Sequence, residues 1–229
     1  MSLRAVVFDL DGVLCSSIGY HYRAWKKTLQ RYDIPFTRAD NERLRGLTRR
    51  KSLERILNGA RLPEARMQAI LEEKNRHYLE YLKEMSPADL APGAGPLLQE
   101  LHAAGLKLAV ASSSRNARPA LQRLGIEAYF TAVVDGNQVQ RSKPDPAAFL
   151  QAAASLAVLP SACIAVEDSP DGIQAALSAG MFVVGLGDSA RDGGACAHFP
   201  SLESVRLADL LAVYSPRGSE RAAASGRQA

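Results

Sequence analysis

No stretch of apolar residues in this 229-residue chain approaches the roughly 20 needed to cross a bilayer, so no membrane span is expected. The opening residues MSLRAVVFDLDG reach an acid at position 9 and lack an apolar stretch followed by a small-residue cleavage site, which argues against a secretory signal and for a cytoplasmic protein. Cysteine is scarce. Cys15, Cys163 and Cys196 lie far apart and form neither a CxxC pair nor a His/Cys cluster, so reduced thiols are expected, with no disulfide and no zinc. Internal repeats are absent. What is present, 47% hydrophobic and 23% charged residues, is the composition of an ordinary globular protein and excludes fibrous and disordered classes. The length fits one large domain, or a core with a smaller companion.

The formal charge of +4 is unevenly spread. Residues 16–87 carry 16 Lys+Arg against 9 Asp+Glu, a net of +7, and residues 215–229 a net of +2, which leaves −5 for residues 1–15 with 88–214. A basic insert on an acidic core suits a phosphorylated substrate between them, with metal-binding carboxylates below and cations above. Nucleic acid is not expected as a partner, because the basic residues alternate with Glu and apolar residues at helical spacing, the pattern of solvated helix faces.

Five short apolar runs that end near Gly, Ser or Asp read as buried parallel strands: 4–10, 107–112, 131–135, 163–168 and 182–187. Helical patterns at 115–125, 145–158 and 170–180 alternate with the last four, which implies βαβ units, right-handed crossovers and a Rossmann-like, doubly wound parallel sheet. After the first strand about 70 residues pass without a strand signal, filled by helical patterns at 20–33, 50–60 and 63–85. This is too long for a crossover and reads as an all-helical cap, residues 16–87, inserted into a core formed by 1–15 and 88–214. SPADLAPGAGP, 86–96, has the Pro/Gly density of a return linker. The small, polar residues 215–229 read as a disordered tail.

Ligands of open α/β sheets bind beyond the carboxyl ends of the strands, and four such ends are chemically loaded. In FDLDG, strand period puts Asp9 and Asp11 on one side and Gly12 permits a sharp turn. Such a pair can hold a hard cation such as Mg²⁺ or supply a nucleophile and an acid/base, although a lone DxD-Gly is as readily a turn or helix cap. In AVASSSRN, Ser112 ends a strand and the residues after it open a helix, an arrangement suited to an anion and equally to a capped loop. Lys143 of SKPDP lies between strand and helix, and alone would pass for a surface lysine. In VEDS, Glu167 and Asp168 end an apolar strand. Two acids there are costly unless a cation or donors satisfy them, which favours a metal.

Asp9 and Asp11, Ser112, Lys143, and Glu167 with Asp168, in this order on four strand ends, resemble the haloacid dehalogenase superfamily of aspartyl phosphotransferases over roughly residues 4–214. The resemblance implies that Asp9 attacks phosphorus and Asp11 shuttles a proton, while Ser112 and Lys143 grip the transferred phosphoryl group. It also implies that Asp9, the Asp11 carbonyl and Asp168 hold Mg²⁺, with Glu167 in support. Phosphoryl transfer needs charge neutralisation and in-line positioning above all, and this set supplies both.

FDLDGV with His21, HYRAWK, LRGLTRRKS, EEKNRHY and SPADL followed by PG are similar to the branch of that superfamily that interconverts beta-D-glucose 1-phosphate and glucose 6-phosphate. That similarity implies an enzyme, an intramolecular phosphotransferase working through a 1,6-bisphosphate and an aspartyl-phosphate, with a phosphorylated hexose as substrate. Arg49 would take the second phosphate beside Ser114 and Asn116, with Ser113 also among the substrate- and phosphate-binding residues; Ser52 and Lys74 would meet sugar hydroxyls. Trp25, Leu44, Gly46 and Leu47 would line the cap face, and His21 would couple cap closure to Asp11. Each has a plainer reading: His21 a packing histidine, Lys74 a solvated helix residue, Trp25 cap core. Among Arg49, Arg50 and Lys51 the sequence alone does not choose. Two positions depart from that branch, Ser16-Ser17 where an Asp-Thr pair is common and Arg45 where Lys is frequent. The alternatives are a Mg²⁺-dependent sugar-phosphate phosphatase on the same scaffold and a catalytically silent phosphosugar-binding protein, which would not need both Asp9 and Asp11. A monomer is expected.

Overall fold

The apolar runs pair as a parallel sheet whose central strands are buried on both faces, in a computed structural model that describes residues 2–215. The strands are β1 (Ala5–Phe8), β2 (Lys107–Ala111), β3 (Ala132–Val134), β4 (Cys163–Glu167), β5 (Phe182–Leu186) and β6 (Ala197–Phe199). Their order is β3-β2-β1-β4-β5-β6, the Rossmann-like doubly wound arrangement. The chain reverses direction across the sheet on either side of β1. In the register there, Phe8 stands opposite Val110 of β2 and Val166 of β4. Whatever follows these three strands therefore emerges at one edge, side by side.

Alternation along the strands divides the core between two faces. Val6, Phe8, Leu108 and Val110 pack with α5 (Ala94–Ala103), α6 (Ala117–Leu124) and α9 (Leu207–Val213). Ala5, Val7, Ala109 and Ala111 pack with α7 (Ala147–Ser155) and α8 (Pro170–Ser178), whose small alanine-rich surfaces fit close to the sheet.

Between β1 and β2 lie α1 (Ile18–Gln30), α2 (Arg38–Glu42), α3 (Arg49–Leu57) and α4 (Glu64–Leu82). They enclose an apolar cluster of their own, including Trp25, Leu29, Leu53 and Ile70. The two crossings that lead into and out of these helices bond to each other: Ser16 N–H donates to the Asp89 carbonyl at 3.1 Å and Ala91 N–H to the Leu14 carbonyl at 3.0 Å. Tyr20 of α1 donates its hydroxyl to Asp89 at 3.0 Å, which ties the helices to this crossing.

Several elements differ from the expectations. The strands end one or two residues earlier than their apolar runs, so Asp9 lies just past β1 and Ser112 just past β2. Asp9 and Asp11 consequently owe their orientation to the turn after β1, not to strand alternation. β6, α2, α5 and α9 were not anticipated. β6 is a partly exposed three-residue edge with no apolar run, and α2 is five residues made by a Thr37–Asp40 capping box. α5 begins inside the segment read as linker. The expected tail at 215–229 lies outside the described residues apart from Ser215. Among the described residues no helix is long and apolar enough to cross a membrane.

Candidate active site

β1 and β4 deliver Asp9 and Glu167 to neighbouring positions, and Lys143 arrives between them from the loop after β3. Its ammonium donates to Asp9 Oδ1 at 2.5 Å and to Glu167 Oε2 at 2.6 Å, with all three side chains buried. The other Glu167 oxygen accepts from the Asp168 and Ser169 backbone N–H groups at 3.1 Å each and from the Ser169 hydroxyl at 2.9 Å. The turn into α8 thus exists to satisfy Glu167. Gly172 is part of that fit, since a Cβ there would sit 2.1 Å from the Glu167 carboxyl carbon.

One lysine does not balance this group. Asp9, Glu167 and Asp168 bring one carboxylate oxygen each within 4.8 Å of one another, and all three are buried. Burial pushes the Asp9 carboxyl well above the usual carboxylate range against the pull of Lys143, with Glu167, Asp168 and Asp11 adding to the rise. Burial and Glu167 likewise push Asp168 up to about 7. Burial lowers the Lys143 ammonium, but Asp9 and Glu167 outweigh it and raise the group above an ordinary lysine. Oxygen donors crowded at mutual cost in charge are a donor set for a hard divalent cation, so the residues fit Mg²⁺. The backbone leaves the room: Gly12, at φ +99°, presses so close that a Cβ would meet Asp168 Oδ2 at 2.2 Å. From α2's following loop, Arg45 Nη1 comes within 3.9 Å of the same carboxylate.

Asp11 faces a different environment. It accepts a very short hydrogen bond from the Ser17 hydroxyl, and His21 Nε2 stands 3.8 Å from its other oxygen. Burial works to raise Asp11, but His21 and Ser17 prevail and hold it below its usual value. The hydroxyl retained at position 17 therefore has a definite partner. His21 stacks on Tyr78 with ring centroids 4.3 Å apart and meets Lys74 Nζ at 2.9 Å through Nδ1. Burial brings the Lys74 ammonium down to about 7, Arg49 adding to the fall. Lys74 is not the solvated helix residue of its plainer reading: it is 3% exposed and lies over Tyr78 and Trp25.

Asp9 and Asp11 open into a cavity of about 690 Å³ between the helices and the sheet edge. His21, Trp25, Ser52 and Lys74 line it from the helices, and Gly46 and Leu47 from the loop before α3. Trp25 belongs both to this wall and to the helical cluster. Ser113, Ser114 and Asn116 line it from the loop after β2. That loop is internally braced, the Ser112 hydroxyl accepting from Ser114 N–H at 3.1 Å and the Ser114 hydroxyl from Asn116 N–H at 3.2 Å. Ser113 donates its hydroxyl to the Gly46 carbonyl at 3.0 Å, so loop and helices are closed on each other. Ser112, Lys143 and Glu167 lie behind Asp9 rather than in the cavity wall. Asp168 faces a second, smaller cavity of about 390 Å³ that it shares with Gly12 and Arg45.

The structure separates the three adjacent cations of α3. Arg50 reaches the cavity rim but is taken up by a two-pronged pair with Glu64 at 2.7 and 2.8 Å. Lys51 is exposed. Arg49 lines the cavity and donates through Nη2 to Asn75 Oδ1 at 2.7 Å, and Asn116 Nδ2 donates to that same oxygen at 2.9 Å. Burial and the nearby Arg115 lower Arg49 to about 10. Two residues escaped the sequence reading, Asn75 and Arg115, although both lie inside motifs it quoted, EEKNRHY and SSSRN. A polar, weak helix former amid the long α4 was the available signal for Asn75.

Residues 3–180 match the haloacid dehalogenase-like hydrolase family. The chain is 47% identical over 189 residues to a beta-phosphoglucomutase of Bacillus subtilis, covering 81% of this chain and 84% of that protein. It is 32% identical over 217 residues to a phosphorylated carbohydrates phosphatase of Thermotoga maritima, covering 92% and 98%. Among solved structures, the beta-phosphoglucomutase of Clostridium difficile superposes with a TM-score of 0.88 at 34% identity, covering 93% of this chain and 97% of that one.

Proposed function

The chain is an enzyme of the haloacid dehalogenase-like hydrolase family, and from that premise we propose that it is a mutase interconverting beta-D-glucose 1-phosphate and glucose 6-phosphate through a 1,6-bisphosphate. The observation that carries this reading is the second cationic end of the cavity. Arg49, with Asn116 and Ser114 beside it, shares one cavity with Asp9, and among the described residues neither Arg49 nor Arg115 has a carboxylate partner, whereas Arg45 and Arg50 do. Arg49, half-buried and left without a counter-charge, suits an anion brought by the substrate, with the exposed Arg115 beside it.

In this reading residues 16–87 are the cap and residues 1–15 with 88–214 the core. Asp9 attacks the phosphorus of one phosphate and becomes an aspartyl-phosphate. Asp11 gives a proton to the departing sugar oxygen and takes one back from the attacking hydroxyl. Lys143 and Ser112 take charge from the transferred phosphoryl oxygens. Mg²⁺, held by Asp9, the Asp11 carbonyl and Asp168 with Glu167 in support, would supply further neutralisation of those oxygens. Ser52, Lys74, Trp25, Gly46 and Leu47 form the sugar-facing wall, and Arg49 grips the phosphate that is not reacting. The intermediate then turns end over end.

The test mixes the chain with Mg²⁺, beta-glucose 1-phosphate and a trace of the 1,6-bisphosphate, and compares glucose 6-phosphate formed with phosphate released. Glucose 6-phosphate should predominate. Arg49→Ala should lower that flux by roughly a hundredfold, as expected of a truncated two-pronged contact to a charged partner, and far more than it lowers hydrolysis of acetyl phosphate, which has no second phosphate. Release of phosphate in excess of glucose 6-phosphate would replace the mutase by a sugar-phosphate phosphatase.

A further inference from the structure

Asn75 stands where side chains from the helices and from the core loop converge above the cavity. It sits half-buried on α4, one residue beyond Lys74. Its Oδ1 receives Arg49 Nη2 from the start of α3 at 2.7 Å and Asn116 Nδ2 from the loop before α6 at 2.9 Å. The assignment of that oxygen follows from chemistry: a guanidinium has no acceptor, so only the amide oxygen can face it. Both donors have N–H groups to spare, Arg49 four of its five and Asn116 one of two, so each is oriented by Asn75 without being used up.

The acceptor is also uncharged, and this is what separates it from the alternatives in its surroundings. Several other arginines of these helices and their ends are held by carboxylates: Arg31 by Glu73, Arg23 by Glu84, Arg50 by Glu54 and Glu64. Each such pair cancels a charge. An amide accepts the same hydrogen bond and leaves the guanidinium its full charge. Building on the mutase reading, we propose that Asn75 is the positioning residue of the second-phosphate subsite. It draws a donor from the helices and a donor from the core onto one neutral oxygen, so that a bisphosphorylated sugar finds both aligned and the positive potential intact.

A mere latch between helices and core would behave differently, and the difference is measurable. Aspartate at 75 accepts both hydrogen bonds at least as well as asparagine, so a latch would survive Asn75→Asp and suffer only in Asn75→Ala. Under the proposal the order reverses, because the carboxylate neutralises Arg49 and repels phosphate. Binding of glucose 1,6-bisphosphate is measured by calorimetry at pH 8 and saturating Mg²⁺, on the full chain carrying Asp9→Asn to prevent turnover. Relative to asparagine at 75, alanine should weaken binding about tenfold and aspartate at least a hundredfold. Urea unfolding of each variant verifies the fold, and if either fails to fold, Asn75→Ser and Asn75→Glu provide the same comparison. Aspartate binding as well as or better than alanine would overturn the proposal, as would equal affinity in all three. Failure of the Asp9→Asn chain itself to bind the bisphosphate would overturn it together with the mutase reading. Absence of mutase flux in the unsubstituted chain, with the affinity order intact, would overturn the mutase reading alone.

Discussion

Asp9 and Asp11 are two residues apart and chemically unlike. Asp9 is pinned by Lys143 among other carboxylates, while Asp11 is held by Ser17 and His21 away from that lysine. Asp9→Asn should abolish turnover with the fold intact, since the amide loses the nucleophilic charge. Asp11→Ala should retain formation of the phosphoenzyme from an activated donor such as acetyl phosphate, and slow transfer to and from sugar hydroxyls about a hundred- to ten-thousand-fold. Single-turnover kinetics distinguish them; equal loss in both steps would remove the proton-transfer role from Asp11. Lys74 gives a pH test. Its folded value is depressed to about 7, so between there and the ordinary lysine range only the unfolded chain holds the proton. Stability should therefore rise with pH across that window, the penalty being fully present below it. Urea midpoints from pH 6.5 to 10 should show a slope that Lys74→Met removes; an unchanged slope would mean that Lys74 stays charged in the fold. Glu167 and Asp168 were legible as acids ending an apolar run, while Asp9, Asp11 and Lys143 became legible only through the joint order of the set and the family it resembles. Asn75 was not, because its meaning lies in who donates to it.

At the scale of elements, the turn from β4 into α8 shows how tightly backbone and site are joined. Ser169 caps α8 by accepting from Gly172 N–H at 3.2 Å, and the same hydroxyl donates to Glu167. Gly172→Ala would normally favour a helix, yet its Cβ would meet the Glu167 carboxyl group at 2.1 Å on a buried backbone. We expect the substitution to destabilise the protein by about 1–3 kcal/mol, the range of an overpacked core, and to weaken Mg²⁺ affinity by displacing Glu167 from Lys143. Urea unfolding and a Mg²⁺ titration read the two effects, and a stabilised protein with unchanged Mg²⁺ affinity would contradict the account. Long periodic elements such as α4 and the buried runs of β1, β2, β4 and β5 were visible in the sequence. The short ones, α2 and β6, were not, because five and three residues carry too few periods to register.

For the whole molecule, Asp9, Glu167 and Asp168 crowd three buried carboxylates around Lys143, with Arg45 3.9 Å from Asp168, and a divalent cation bound among them should relieve their mutual repulsion. Mg²⁺ should raise the melting temperature and chelator lower it, with a gain near 2.7 kcal/mol at a hundred times Kd. Chelation should also stop turnover and added Mg²⁺ restore it; full activity in exhaustive chelator, or rescue by zinc alone, would contradict the site. The amino-acid sequence by itself determined the parallel α/β core, the helical insert and the acids that end the strands, because these are matters of apolar period and of polar residues where a strand must stop; Ser112 and Lys143 were legible through their order relative to those acids. Tertiary structure alone decided which of three adjacent cations lines the cavity without a carboxylate partner, since Arg50 is claimed by Glu64 from another helix. It likewise decided that Arg49 and Asn116, 67 residues apart in number, converge on one oxygen of Asn75. Those are outcomes of competition between partners brought together by folding, and no local pattern encodes them.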